Sequence, residues 1–273
     1  MPPPRRLLLH AACAAVLALA GCAGSPHAGL GAERPAAPAA VVAALAPSGS
    51  LRVGVYPGSP SSLVRNVQTG QSAGLAFDLG HTLGQRLGVP VQVVEFNRVA
   101  EVVSALKAGQ VDFTVTNASP ARARDVDFSP HLVQLALGLL VPPDSPIHSL
   151  ADADQSATRV GVTAGSSSLL ALPQRLKSAR VVPVASLKEA QQMLRRHELD
   201  DFATNKGILF EMADDLPGFQ VLPDQWGTEG LAMALPKGRE VGLAYLREFA
   251  QELRQNGQLQ AIIVRSGLRG TLP

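Results

Sequence analysis

The order of apolar segments from residue 51 onward most constrains what this chain can fold into. "LRVGVY" (51–56), "VQVVEF" (91–96) and "VDFTVT" (111–116) have the short, β-branched composition of buried strands. Between them, "GLAFDLGHTLGQRLG" (74–88) carries leucines four residues apart, and "VAEVVSALKAG" (99–109) is closed by a glycine, as helices often are. This βαβαβ order predicts a parallel sheet with helices on its faces.

The alternation stops at an apolar run, "LVQLALGLLV" (132–141), and restarts after two prolines. A second apolar run, "GLAMALPKG" (230–238), also ends in a proline turn. We therefore predict two α/β lobes joined by two hinge strands, near residues 135–142 and 228–235. The expected lobes are residues 49–136 with 236–273, and residues 137–235.

The N-terminus has the pattern of an export signal. "MPPPRR" is cationic, and the apolar run that follows it is too short to span a membrane comfortably. The run ends in Leu-Ala-Gly-Cys at Cys22, which resembles the lipobox of bacterial lipoproteins, where the peptide is cut before a lipid-carrying cysteine. We expect a signal peptide at 1–21, a lipid on Cys22 and an Ala/Pro-rich tether at 22–48. An ordinary cleaved signal is the alternative.

Charge and cysteine content argue against several functions. Without Arg5 and Arg6 of the signal, 22 of the 24 basic residues remain against 22 acidic ones, and no basic stripe supports nucleic-acid binding. Cys13 lies in the signal and Cys22 at its end, so the folded part has no cysteine for a disulfide or a thiolate metal site. The histidines have no metal-ligand spacing, and no Walker or dinucleotide fingerprint occurs, so we expect neither metal nor cofactor.

A polar, turn-prone segment, "TNASPARARDVDFSP" (116–130), follows the third strand. Ligands of α/β sheets bind at the carboxyl edge of the strands, where this segment would lie. Arg122 offers a planar fork of donors suited to a carboxylate, and Asn117 and Ser119 add donors on the same turn. The alternative is that Arg122 pairs at the surface with an aspartate a few residues later.

The second lobe offers "AGSSS" (164–168), in which Gly165 ends a strand and Ser166 and Ser167 open a helix. Backbone N–H groups at such a turn favour an anion. Capping of the helix by Ser166 is an alternative that is compatible with ligand contact.

Three motifs in order resemble the family 3 solute-binding proteins, over roughly residues 50–268. They are "GLAFDLGHTLGQRLGVPVQVVEF", "VSALKAGQVDFTVTNASPARARDVDFSP" and "RVGVTAGSSS". These proteins are periplasmic or lipid-anchored receptors of ABC importers for amino acids and related small polar solutes. The resemblance implies a two-lobe, type II periplasmic-binding-protein fold with a cleft between the lobes, and a monomer that serves a permease in the inner membrane. It also implies that Arg122 grips the ligand's carboxylate, with Asn117 in place of the usual hydroxyl residue and the Gly165–Ser167 turn on the other side.

Two departures from this family concern the ligand. Amino-acid receptors have an aspartate for the ligand's ammonium where this chain has Asn205, which favours a polar carboxylate or another oxyanion without an ammonium unless Glu229 supplies the charge. The loop "VYPGSPSS" (55–62) usually carries aromatics that stack on the ligand, but here Tyr56 is the only one among serines. This loop suits hydrogen bonds to oxygens, and a plain Pro/Ser turn is the alternative.

We therefore expect a lipid-anchored periplasmic receptor that captures a small anionic or zwitterionic solute by lobe closure and is not an enzyme. One alternative is an enzyme similar to the cyclohexadienyl dehydratases, which resemble these receptors; Glu229 or Glu211 would then have to be the acid. The other is a stand-alone sensor that docks on a membrane signalling protein.

Overall fold

The computed structural model describes residues 36–273, in which helices and strands alternate. The helices are α1 (Ala39–Leu45), α2 (Leu75–Leu87), α3 (Val99–Lys107), α4 (Pro120–Ala123), α5 (Leu150–Ala153), α6 (Ser167–Ala171), α7 (Leu187–Arg195), α8 (Lys206–Asp214), α9 (Glu240–Gln255) and α10 (Gln258–Arg265). The strands are β1 (Leu51–Val55), β2 (Val64–Arg65), β3 (Ser72–Ala73), β4 (Val91–Glu95), β5 (Thr114–Asn117), β6 (Val126–Phe128), β7 (Val133–Val141), β8 (Arg159–Thr163), β9 (Arg180–Val184), β10 (Asp201–Asn205), β11 (Gln220–Val221), β12 (Gly227–Pro236) and β13 (Thr271–Leu272).

The first lobe contains the predicted βαβαβ unit. β1 and β4 pair in parallel over all five residues of each strand, and Phe113 continues the sheet beside Val53. The crossover helix α2 packs on this sheet because its apolar residues recur every four positions and so share one face. The buried leucines of that face are Leu75, Leu79, Leu83 and Leu87.

The second lobe repeats this architecture. β8 lies between β9 and β10 and pairs in parallel with both. Helices α7 and α8 bury Leu194 and Leu209 in one core cluster with Phe202 of β10. The parallel strands bring their carboxyl ends, and the loops that follow them, to one edge of the lobe.

The two long strands β7 and β12 pass between the lobes. β7 pairs with β12 over 133–137 and then with β10 over 137–140. β12 pairs with β7 over 227–231 and then, from Leu231 onward, with β5 and β6 of the first lobe. Both strands match the predicted hinges. This pairing places the passage of β12 from the second lobe to the first near residue 231. The lobe boundary was expected about five residues later, at 235/236.

Chain segments at both ends of the described range pack on the first lobe. Val41 and Leu45 of α1 share a core cluster with Leu246 and Phe249 of α9. The part of the expected tether that forms α1 is therefore built into the lobe. The expected signal peptide and Cys22 lie outside the described residues. Within residues 36–273, no helix combines the length and apolar character that a membrane span requires.

Candidate functional site

The lobes meet at the carboxyl ends of their strands, with a cavity of about 30 Å³ between them. Arg98 Nη1 of the first lobe donates to Ala185 O of the second at 3.4 Å. Tyr56 of the first lobe belongs to the same apolar cluster as Leu187 of the second. The structure is therefore a closed arrangement. The cavity is lined by Tyr56, Ser61, Val99, Thr116, Asn117, Arg122, Thr163, Ser166, Ser167, Leu187, Thr204, Asn205, Ile208, Glu229 and Leu231.

Gly165 permits the close approach of the lobes. It has a φ of 71°, in the left-handed region that glycine adopts without strain. A Cβ on this residue would lie 2.5 Å from Cβ of Ala100, at the start of α3 in the other lobe. The glycine predicted to end a strand is thus also a contact point of lobe closure.

Arg122 lines the cavity from the short helix α4, just after β5. Its Nη1 donates to Thr116 Oγ1 at 2.6 Å, and this bond holds the guanidinium against the end of β5. Burial lowers the pKa of Arg122, while the charge of Glu229 and the hydroxyl of Tyr56 act in the opposite direction. A guanidinium nevertheless stays protonated in proteins, so Arg122 contributes a fixed positive charge.

The surface pairing of Arg122 that the sequence also permitted does not occur. Asp125 pairs with Lys107 at 2.8 Å, and Asp127 pairs with Lys237 at 3.1 Å. Both aspartates thus have partners other than Arg122.

Ser119 has a different place from the one expected, because it is not among the cavity-lining residues. Its hydroxyl accepts the backbone N–H of Arg122 at 3.3 Å and so caps α4. Thr116, which sequence reasoning did not single out, contacts Arg122 instead. Its position in the sequence could have indicated this contact, because Thr116 is the penultimate residue of β5, the strand that leads to the turn with Arg122.

Glu229 brings a carboxylate into the same cavity from the hinge strand β12. Its side chain accepts from Asn205 Nδ2 at 2.8 Å and from Ser167 Oγ at 3.0 Å. Burial raises the pKa of Glu229, and the charge of Arg122 and hydrogen bonds from Ser167, Asn205 and Asn117 oppose that rise. This buried carboxyl therefore joins the hinge strand β12 to the N-terminal ends of α6 and α8.

Asn205 is the last residue of β10 and the N-cap of α8. Its Oδ1 accepts the backbone N–H of Ile208 at 3.0 Å, while its Nδ2 donates to Glu229. Since the amide oxygen is engaged in capping, the group that Asn205 presents to the cavity is a donor. It cannot serve a ligand's ammonium as the family's aspartate does.

The "AGSSS" turn contributes two serines to the cavity. Ser166 caps α6, because its hydroxyl accepts the backbone N–H of Leu169 at 3.2 Å, and it also lines the cavity. Ser167 donates its hydroxyl proton to Glu229, as described above. The capping role and the position in the site thus occur together.

The "VYPGSPSS" loop forms a buried hydroxyl network rather than an exposed turn. Tyr56 Oη donates to Ser59 Oγ at 3.2 Å, and the Oγ atoms of Ser59 and Ser61 are 2.8 Å apart. Ser62 Oγ accepts the backbone N–H of Tyr56 at 2.8 Å. Burial raises the pKa of Tyr56, so its phenol is protonated at neutral pH.

Two charged residues of α8, Lys206 and Glu211, lie away from the cavity lining. Lys206 is buried and its Nζ donates to Pro223 O at 2.6 Å, so it is neither exposed nor directed at a ligand. Glu211 lies on α8 and is not among the lining residues. Among residues 36–273, no cluster of three or more His, Cys, Asp or Glu side chains could hold a metal ion.

Two α/β lobes are joined by two hinge strands and closed over a cavity with one half-buried cation and one buried carboxyl. These features define a two-lobed ligand-binding protein of the type II periplasmic-binding-protein fold. The chain belongs to the bacterial extracellular solute-binding proteins, family 3, whose model matches residues 51–266. This confirms the resemblance inferred from the three motifs, and the architecture confirms the predicted fold class.

Similar proteins are binding proteins by name. The chain is 22% identical over 203 residues to the ABC transporter glutamine-binding protein GlnH of Bacillus subtilis, covering 73% of this chain and 74% of that protein. Its fold is similar to the solute receptor for L-cysteine of Neisseria gonorrhoeae, with a TM-score of 0.74, 23% identity, and coverage of 82% and 92% of the two chains. It is also similar to an ancestral amino acid-binding protein, AncCDT-1, a precursor of cyclohexadienyl dehydratase, with a TM-score of 0.70, 25% identity, and coverage of 80% and 95%.

Proposed function

We propose that this protein is the receptor of an ABC importer and captures a small amino acid, bound as a zwitterion, by closing its lobes. The observation that carries the proposal is that Arg122 and Glu229 line one cavity between the lobes. The names of two relatives, which are glutamine-binding proteins, and of a structural neighbour, a solute receptor for L-cysteine, support the same class of solute.

The charges of the cavity favour a zwitterion over a plain anion. Arg122 and Glu229 are the two charged side chains among its lining residues, and they have opposite signs. An amino acid brings a carboxylate for the first and an ammonium for the second. An oxyanion without an ammonium would instead be buried close to the Glu229 carboxylate, and like charges in a desolvated site cost several kcal/mol. Asn205 alone favoured a ligand without an ammonium group, whereas Glu229 favours a ligand that carries one.

Arg122 has hydrogen-bond donors, and Glu229 has acceptor sites, that contacts within the protein do not use. A guanidinium has five N–H donors, and the hydrogen bond to Thr116 uses one of them. A carboxylate has about four acceptor sites, and Asn205 and Ser167 occupy two of those of Glu229. Remaining donors of Arg122, with those of Ser166 and its turn, would hold the ligand's carboxylate, and Glu229 would hold the ammonium.

Such a ligand would favour the closed state, because its partners come from both lobes and from the hinge. Asn117 and Arg122 belong to the first lobe, Ser167 and Asn205 to the second, and Glu229 to a strand that joins them. A ligand shifts an equilibrium only by its differential affinity for the two states. A permease in the inner membrane could then distinguish the loaded receptor from the open, empty one.

Export and anchoring are part of the same proposal. We propose cleavage before Cys22 and a lipid on that cysteine, which would hold the monomeric receptor at the membrane in the periplasm. Cys22→Ala is expected to move the protein from the membrane fraction to the soluble periplasmic fraction. An unchanged membrane fraction would contradict lipid anchoring through this residue.

The central experiment is isothermal titration calorimetry of the protein beginning after Cys22. Each L-amino acid that binds is compared with its amine-lacking acid and with its carboxamide. We expect both analogues to bind far more weakly than the amino acid, because each leaves one buried charge unpaired. Equal affinity for the amine-lacking acid would overturn the zwitterion proposal.

A further inference from the structure

We infer that the ligand carries a short, uncharged side chain ending in a hydrogen-bond donor, as in a β-hydroxy amino acid, and that Tyr56 and Ser61 select it. This inference rests on the proposed function, since it concerns the side chain of the amino acid proposed for the same cavity.

A charged side chain has no partner in this cavity. Arg122 and Glu229 are the two charged residues among the lining residues of the described chain, and the ligand's own carboxylate and ammonium engage both. A third charge would be buried without a counter-ion, at a cost that binding proteins avoid. Lysine, arginine, aspartate and glutamate are therefore poor ligands for this cavity.

The hydroxyl network supplies the polar wall for the side chain. Tyr56 and Ser61 line the cavity, while Ser59 lies behind them and is fully buried. Tyr56 donates to Ser59, so the proton of Ser59 goes to its other neighbour, Ser61, 2.8 Å away. Tyr56 has no second proton, so its phenolic oxygen presents only acceptor sites to the cavity.

The free donors and acceptors of these hydroxyls determine which ligand group they can bind. Three hydroxyls have three protons and six lone pairs. The two hydrogen bonds that link Tyr56, Ser59 and Ser61 use two protons and two lone pairs. Tyr56 therefore retains only acceptor capacity towards the cavity, while Ser61 keeps its own proton and one acceptor site. A ligand group that donates a hydrogen bond is complementary to this wall, whereas a methyl group would leave a buried acceptor unpaired.

The position of the wall limits the length of the side chain. Tyr56 and Ser61 line the same cavity of about 30 Å³ as Arg122 and Glu229. The hydroxyl wall and the two groups proposed to hold the main-chain charges thus surround the same small space. A side chain of one or two carbons fits this arrangement.

The test compares L-serine with L-2-aminobutyrate by calorimetry, because the second replaces the hydroxyl of the first by a methyl group of similar size. We expect the wild-type protein to bind L-serine about 5- to 10-fold more tightly, the contribution of one neutral hydrogen bond. Ser61→Ala is expected to reduce that ratio to about 1 while 2-aminobutyrate keeps its affinity within about 2-fold. Tyr56→Phe is the second variant and is expected to reduce the ratio in the same direction. Ser48→Ala, at an exposed serine of the same lobe, should leave the ratio unchanged.

The outcomes separate the two proposals. If both compounds bind with equal affinity, or the preference for L-serine survives in Ser61→Ala and Tyr56→Phe, the hydroxyl selection is overturned while the amino-acid receptor stands. If no amino acid binds to the folded wild-type protein, both proposals are overturned.

Discussion

The side-chain amide of Asn205 donates a hydrogen bond of 2.8 Å to the carboxylate of Glu229, and this bond joins the N-cap of α8 to the hinge strand β12. An aspartate at position 205 would put two carboxylates in contact, and one of them would have to stay protonated. The asparagine and the glutamate are therefore compatible as a pair, and the acidic group of the site resides at position 229.

Exchanging these two groups tests where the acidic charge is needed. Glu229→Gln is expected to weaken amino-acid binding on the order of 100-fold, because the ligand's ammonium loses its counter-ion. The double variant Asn205→Asp/Glu229→Gln restores a carboxylate on the same pair and is expected to recover part of the affinity. Calorimetry with the best-binding amino acid measures both. A double variant no better than Glu229→Gln would contradict the exchange.

Removing the guanidinium should abolish most of the binding. Arg122→Ala is expected to lower the affinity by at least about 100-fold, since the ligand's carboxylate would be buried without its partner. Arg124→Ala is the matched control, because Arg124 is two residues further along and exposed. Calorimetry of both variants checks this. Comparable losses in the two would mean that Arg122 has no special role.

Binding should depend on pH through Glu229. Burial raises the pKa of this carboxyl above its ordinary value, and a bound ammonium would favour the charged form. Lowering the pH therefore protonates Glu229 in the free protein first, and affinity is expected to fall from pH 7 towards pH 5, before an ordinary carboxyl would titrate. Titrations in buffers of different ionisation enthalpy should show proton release on binding in this range. Glu229→Gln should show neither effect.

Asp201 makes the fold less stable as the pH rises. Its carboxyl is buried at the start of β10, both oxygens lack a hydrogen-bond partner within the described chain, and burial raises its pKa to about 8. The unfolded chain releases this proton near pH 3.9, so the free energy of unfolding falls between about pH 4 and pH 8. Asp201→Asn is expected to be more stable than the wild type by roughly 2–4 kcal/mol at pH 8 and nearly equal to it at pH 4.

Denaturant unfolding at several pH values measures this stability difference. Asp200 provides the control, because its expected effect on stability changes with pH in the opposite direction. The pKa of Asp200 is lowered by its hydrogen bonds with Arg159, so its contribution is present at neutral pH and is lost as the pH falls. Asp200→Asn should therefore destabilise the protein slightly at pH 7, by less than about 1 kcal/mol, because the pair is partly exposed. Identical pH profiles for Asp201→Asn and the wild type would refute the assignment to Asp201.

Asp112 anchors the first lobe through two arginines. Its buried carboxylate accepts from Arg52 at 2.7 Å and from Arg239 at 2.9 Å, which ties β1 to the start of α9. Asp112→Ala is expected to destabilise the protein by about 2–4 kcal/mol, because both cations lose their partner in a partly desolvated place. Glu95→Gln, which removes the exposed pair with Arg65, should cost less than about 1 kcal/mol. Equal losses in denaturant unfolding would contradict this difference.

The local elements of the fold could be predicted because each is encoded within a few residues. The four-residue spacing of the α2 leucines and the apolar runs of β1 and β7 indicate which face is buried, whatever the partner. Disagreements arise where local signals compete. The helix that Ser166 and Ser167 were expected to open ends at Ala171 and continues as a 3₁₀ turn, because Pro173 lacks an N–H for the next helical bond.

The sequence by itself determined the two α/β lobes, the hinge strands and the arginine turn, since periodicity, glycine and proline act over short distances. Only the tertiary structure decided which polar groups meet. Asn205 reaches Glu229 across 24 residues because β10 and β12 both pair with β7, and Ser59 and Ser61 are buried because their loop folds beneath the closed cleft. Such contacts depend on strand register and lobe closure. The pattern of residue types within one chain segment therefore does not predict these contacts.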